Sequence, residues 1–331
     1  MGQLWKVRNV RSVRYGAGLG MAALLGLAGC SSASSGRSAT GRHPLGDSAI
    51  KSAAVVVRAA PFQRPLDAAP SPDGRTIYFS STGDRGASIL SVAVGGGAAR
   101  AVADGAPLVN PTGVAVATDG SRVYIADQSA GASGAILMAP ASGGETPTTL
   151  ADTQGHGPRG LDVVKEAGAD IIYFTGKDPS NGAVGLFKVA VTGGPVSTVA
   201  EGAPFTTPDS VVVTADGVAY VTDQGSDIGQ GKVYRVRGGT VTAVLDSLHL
   251  GAPAGVTLIN GDDTLLVSTI DAASLSDQVL FLDLAAGKSA AATKVIGVNK
   301  NSSGGLHRAH DVSILAWADV SRSGRVYRVE P

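Results

Sequence analysis

The chain has 331 residues, 44% of them hydrophobic and 16% charged, with 46 glycines, 5% aromatics and a single cysteine. That apolar share is too high for a disordered chain and supplies a large core. Lys and Arg number 27 against 27 Asp and Glu, so the basic excess that a nucleic-acid footprint needs is missing. One cysteine makes neither an internal disulfide nor a thiolate metal cage.

The first fourteen residues carry Lys6, Arg8, Arg11 and Arg14 and no acid, and residues 15–29 are uncharged. A basic segment, an apolar run and then small residues form the layout of a secretory signal peptide. At about 1.5 Å per residue the apolar run reaches about 22 Å, short of the ~30 Å hydrocarbon layer. It is therefore not read as a permanent span. Leu27-Ala28-Gly29-Cys30 resembles the bacterial lipobox, which implies cleavage before Cys30 and a diacylglyceryl group on its sulfur. Two or three acyl chains there hold a protein stably on a bilayer.

Cleavage removes four positive charges and no negative ones, leaving 23 against 27, a formal −4. A mildly acidic mature chain is a poor ligand for nucleic acid. Residues 30–50, rich in Ser, Gly and Ala, have nothing to bury and read as a flexible tether.

From residue 51 onward a phrase repeats. It runs from Pro through a short apolar strand and an Asp-Gly turn into a second apolar strand that contains Tyr. Pro111-Thr-Gly-Val-Ala-Val-Ala-Thr-Asp-Gly-Ser-Arg-Val-Tyr-Ile-Ala-Asp-Gln and Pro208-Asp-Ser-Val-Val-Val-Thr-Ala-Asp-Gly-Val-Ala-Tyr-Val-Thr-Asp-Gln are the clearest copies. Looser copies start at Pro65, Pro158 and Pro253, and a sixth without the Pro starts near Ser303. The spacings are 46, 47, 50, 45 and 50 residues, and six such units account for residues 51–331.

Each unit reads as four short strands. In the second, the strands are predicted over 113–116, 123–126, 135–138 and 148–151, with turns at Asp119-Gly120 and Gly143-Gly144. Gly-Gly turns recur at Gly95-Gly96, Gly193-Gly194 and Gly238-Gly239. Outside the leader no segment keeps a helical period. The sixth unit ends after its third strand, at residues 325–329, while a spare strand over 54–58 precedes the first unit. The prediction is an all-β, six-bladed β-propeller with four antiparallel strands per blade, the N-terminal strand closing the last blade.

The pattern resembles the six-bladed NHL, YWTD, SMP-30/gluconolactonase-like and TolB-like group of propellers. The resemblance implies that the residue after each Pro faces the channel mouth, where gluconolactonase-like members carry Glu, Asn and Asp ligands for a divalent metal. Here those positions are Leu66, Thr112, Arg159, Asp209, Ala254 and Gly304. Only Asp209 is a ligand by type, with Asp67 one place away, whereas a hard cation needs several oxygens.

The candidate ligand-binding residues are therefore Arg159, Asp209, Asp67, Thr112 and His156, with no catalytic or metal set. Arg159 with Asp209 reads either as a polar grip on a carboxylate or phosphate or as an ion pair across a blade seam. His156 lies in the loop before the third unit, near Arg159. His307, His310 and Asp311 share a metal only if that segment is helical, because strand residues three apart point to opposite faces. Asp127 and Asp223 recur in two blades, which argues for accepting loop N–H bonds. Asp162, in a predicted first strand, needs a partner such as Arg159.

Gly287-Lys288-Ser289 lacks the earlier glycine of a phosphate loop, and no Gly-x-Ser-x-Gly elbow occurs. The expectation is a monomeric, lipid-anchored, extracytoplasmic propeller that binds an envelope protein or small ligand at its channel mouth, with no resident cofactor. The alternative is a metal-dependent lactonase or a strictosidine-synthase-like hydrolase or lyase.

Overall fold

Asp-Gly pairs reverse the chain between the first and second strands of three blades. In blade 2 the Ala117 N–H donates to the Arg122 carbonyl (2.9 Å) and the Gly120 N–H to the Ala117 carbonyl (2.8 Å). The same two bonds recur around Ser71 with Gly74 and Thr214 with Gly217. Gly120 sits at φ 73°, where a β-carbon would be strained. The flanking Val, Ile and Tyr then pair as strands: Pro111–Val116, Arg122–Asp127, Ala135–Pro140 and Thr148–Thr149.

The computed structural model describes residues 52–58, 63–84, 86–291, 303–321 and 324–331. The predicted leader over 1–29, Cys30 and the tether over 30–50 lie outside the described residues. Within those described, the chain forms six four-stranded antiparallel sheets, five of them in sequence order. The first strands of blades 1 to 6 are Pro65–Pro70, Pro111–Val116, Leu161–Glu166, Pro208–Val213, Val256–Ile259 and Ser303–Arg308. Each touches the first strand of the next blade, and the sixth touches the first, so the ring closes. The only helical element among the described residues is a 3-10 turn at Ala130–Ala132.

In the sixth sheet the fourth strand is Ser52–Arg58, paired antiparallel to Arg325–Glu330 with Ser52 opposite Glu330 and Arg58 opposite Arg325. The N-terminal strand thus completes the last blade. Counting strand directions outward, every first strand begins on one face of the ring, here called the entry face. Ser52 begins on the other.

Apolar side chains gather in six clusters, one at each seam between blades. Ala69, Tyr78 and Ile89 of blade 1 meet Val114, Ile125 and Leu137 of blade 2. Val56 and Val57 join Ile77, Phe79 and Ala318 where blade 6 meets blade 1, and Trp317 and Tyr327 face Leu266 and Phe281 of blade 5. A blade is too thin to bury its own faces, so its core belongs to the seams.

Hydroxyl groups stitch those seams along the first strands. Register shifts interrupt several first strands just after their start. An inner N–H left over there, or just ahead of a first strand as at Gly160 and Gly255, needs a partner. Ser210 N–H donates to Thr222 Oγ1 (2.9 Å), Gly255 N–H to Ser268 Oγ (2.7 Å) and Gly160 N–H to Thr175 Oγ1 (3.1 Å). The same hydroxyls donate onward to carbonyls of the next blade: Thr175 to Asp209, Thr222 to Ala254 and Ser268 to Gly304. Between blades 2 and 3 the donor is Thr112, to the Arg159 carbonyl at 2.9 Å.

Candidate functional site

The residue after each repeat Pro does occupy one slot. Aligning the sheets on the Tyr78, Tyr124, Tyr173 and Tyr220 pairs places Leu66, Thr112, Arg159, Asp209, Ala254 and Gly304 at equivalent positions on the entry face. The following slot holds Gly113, Gly160, Ser210, Gly255 and Gly305, and in blade 1 it holds Asp67. A β-carbon on Gly113 would come within 2.6 Å of the Arg159 carbonyl oxygen, so this slot points into the backbone of the next blade.

Asp209 is 1% exposed and satisfied on both oxygens. Oδ1 accepts from Arg159 Nε at 3.1 Å, and Oδ2 accepts from Gln224 Nε2 at 2.8 Å and from the Ala254 N–H at 2.6 Å. One carboxylate therefore ties together blades 3, 4 and 5. Arg159 is 28% exposed and spends only its Nε on this bond, which leaves the far edge of the guanidinium toward the entry face.

Asp67 is likewise buried. It accepts the Val114 N–H of blade 2 at 2.8 Å and lies 3.0 Å from His307 Nε2 of blade 6. Burial pushes the His307 imidazole toward its neutral form, but the Asp67 charge and hydrogen bond, with Asp162 behind them, outweigh burial and hold its pKa above the ordinary value. Asp162 is paired with the Val213 N–H of blade 4 at 2.8 Å, not with Arg159.

The remaining candidates scatter. His156 is 7% exposed and turned into blade 3, edge-on to Phe174 and Phe187 at 5.7 and 5.6 Å, so aromatic packing rather than solvent receives it. Thr112 is engaged in its stitch. His310 and Asp311 are exposed in the turn after Arg308, while His307 faces Asp67, so the three do not converge.

Asp127 accepts N–H bonds from Val109, Asn110, Ser129 and Ala130, and Asp223 from Thr206, Thr207 and Gly225. Both carboxylates fold the loops that frame the entry face.

Two cavities open on that face. The first, about 300 Å3, lies where blades 2, 3 and 4 meet and is lined by Gln128, Ser133, Gly157, Arg159, Lys177 and Thr207. Sequence reasoning picked out Arg159 and quoted Gln128 only as the last residue of the repeat phrase, and it missed Lys177 and Ser133, which sit at a strand end and in a loop where no repeat position flags them. The second, about 420 Å3, is lined by Asp223, Lys232, Tyr234 and Asp246 of blade 4. Three of the four large exposed apolar side chains among the described residues, Val109, Ile228 and Leu275, also stand on entry-face loops.

The residues present do not fit a divalent cation. Asp209 has both oxygens committed to N–H donors, its slot companions are Leu, Thr, Arg, Ala and Gly, and among the described residues no group of three or more His, Cys, Asp or Glu is arranged around a metal position.

No family model matches the chain, and no curated relative does. Solved structures do. A provisionally assigned TolB from Agrobacterium tumefaciens is similar at a TM-score of 0.57 and 16% identity, over 81% of this chain and 91% of that one. A gluconolactonase from Xanthomonas campestris is similar at 0.55 and 16%, over 81% and 86%. A glucose dehydrogenase is similar at 0.60 and 12%, over 85% and 99%. These likenesses are of fold: the chain is a six-bladed β-propeller with TolB-like and gluconolactonase-like structural neighbours, an architecture that hosts many functions.

Proposed function

We propose that the protein is a lipid-anchored, extracytoplasmic binding module that takes its ligand at the entry face. Residues 1–29 act as a signal peptide, Cys30 carries the diacylglyceryl group, and residues 30–50 tether the propeller of residues 51–331. The observation that carries the reading is that both cavities and the exposed Val109, Ile228 and Leu275 gather on one face of the ring. A binding role suits a site in which Asp67, Asp127, Asp209 and Asp223 are engaged in structure by N–H donors.

Expressed in a bacterium, the full chain is expected to incorporate labelled palmitate and to sediment with membranes, and Cys30→Ala is expected to lose the label. An unlabelled, freely soluble wild type would overturn the anchor. Retention of a small molecule by the purified protein, found by mass spectrometry after denaturation, supports binding. Steady turnover of a lactone on adding a divalent cation contradicts it.

A further inference from the structure

Lys177 closes the second strand of blade 3 (Ala169–Lys177), exposed on the entry face. It takes part in none of the ion pairs found among the described residues. The neighbouring carboxylate, Asp178, is turned away into its own loop, where it accepts the Ser180 N–H at 2.7 Å and Asn181 Nδ2 at 3.4 Å. A β-carbon on Gly157 would lie 3.8 Å from Lys177 Cε, so the lysine stem runs along bare backbone at the rim of the 300 Å3 cavity.

Across that cavity stands Arg159, its Nε held by Asp209 and its outer edge open. Two cations against one carboxylate leave the cavity a net charge of +1. Around them Gln128 and Ser133 present an amide and a hydroxyl that bond to nothing else among the described residues, and Thr207 presents a hydroxyl that already donates to the Gly225 carbonyl. Unused donors beside two cations that line one cavity form an anion site: a guanidinium edge matches a planar carboxylate, and an ammonium adds a point charge.

We propose that this cavity binds a small hydroxylated monocarboxylate of about one sugar ring, a specification that rests on the binding-module reading above. Charge selects the carboxylate, because a monoanion neutralises the site while a phosphate of about −1.5 to −2 overfills it. Size selects the ring, since about 300 Å3 is the lower end of ligand pockets. The amide and the hydroxyls select a polar body over a fatty one.

The test is calorimetric titration of the full-length protein in detergent micelles with D-glucuronate, D-glucose and inorganic phosphate. Glucuronate is expected to bind, to weaken as salt rises, and to lose at least tenfold in affinity in Lys177→Met. The Lys177 side chain makes no hydrogen bond or ion pair among the described residues, so that variant is expected to keep the wild-type unfolding midpoint. Glucose binding as well as glucuronate, phosphate binding more tightly, an unchanged affinity in Lys177→Met, or no glucuronate binding would each overturn the proposal. None of these touches the anchored-module reading, which is decided by lipid labelling and by the retained molecule.

Discussion

Asp67→Ala is expected to be among the most damaging single substitutions in the protein, costing about 3–5 kcal/mol, the range for removing one partner of a buried pair. The carboxylate is 2% exposed and serves three blades at once. Its loss strands the Val114 N–H of blade 2 and the His307 ring of blade 6 in a place water does not reach. In thermal unfolding this corresponds to a drop of roughly 10 °C for a domain of this size.

The same pair makes stability depend on pH with a defined sign. His307 has a folded-state pKa above its ordinary 6.5, so the native state holds a proton that the unfolded chain releases. The contribution is complete below about 6.5 and is lost as pH rises through the elevated folded value. Urea midpoints of the wild type are therefore expected to fall from pH 6 toward pH 9. His307→Gln is expected to start lower and to flatten that slope, and an equal slope in wild type and variant would contradict the assignment.

The second large effect concerns the N-terminal strand. Val56 and Val57 are 6% and 8% exposed and pack into the seam between blades 6 and 1, while Ala53 and Val55 pack toward blade 5. Burying a valine is worth about 1.5–3 kcal/mol, so the two buried valines alone represent several kcal/mol. Removing the strand also opens the edge of Arg325–Glu330, whose unpaired N–H and C=O groups invite association with another chain. A chain lacking residues 52–58 is expected to give no cooperative monomeric unfolding transition and to elute as oligomer or aggregate. A monomer with an unchanged midpoint would contradict this.

The repeat was legible because a propeller blade is a local object. Its turns need Asp-Gly or Gly-Gly at fixed offsets, and its strands need apolar runs between them, so the spacing of Pro111 and Pro208 exposed six units and a missing edge. The slot after each Pro was legible for the same reason. Relations between blades were not. That Asp67 meets His307 depends on a ring closing over 240 residues of sequence, and nothing local to either residue announces it.

One signal was present in retrospect: blade 1 carries Asp where most blades carry Gly, and a carboxylate in a slot aimed at a neighbour's backbone has to find donors there. The direction of the His156 ring was not legible, because it is set by Gly155 and Gly157, both at positive φ, which fold the loop so that the ring enters the blade beside Phe174. The hydroxyl stitches at Thr175, Thr222 and Ser268 were invisible because the way the first strands begin, not composition, creates the unpaired N–H groups they satisfy.

The closure of the ring is tested most directly by a disulfide across the latch. With Cys30 replaced by Ala, the pair Ala54→Cys and Arg328→Cys places thiols on residues that face each other in the N-terminal and last strands. Oxidation is expected to give a monomer in which peptide mapping joins positions 54 and 328, with a higher unfolding midpoint than the reduced form. Free thiols after oxidation, or bonds found only between separate chains, would show that the first strand of the propeller does not complete its last blade.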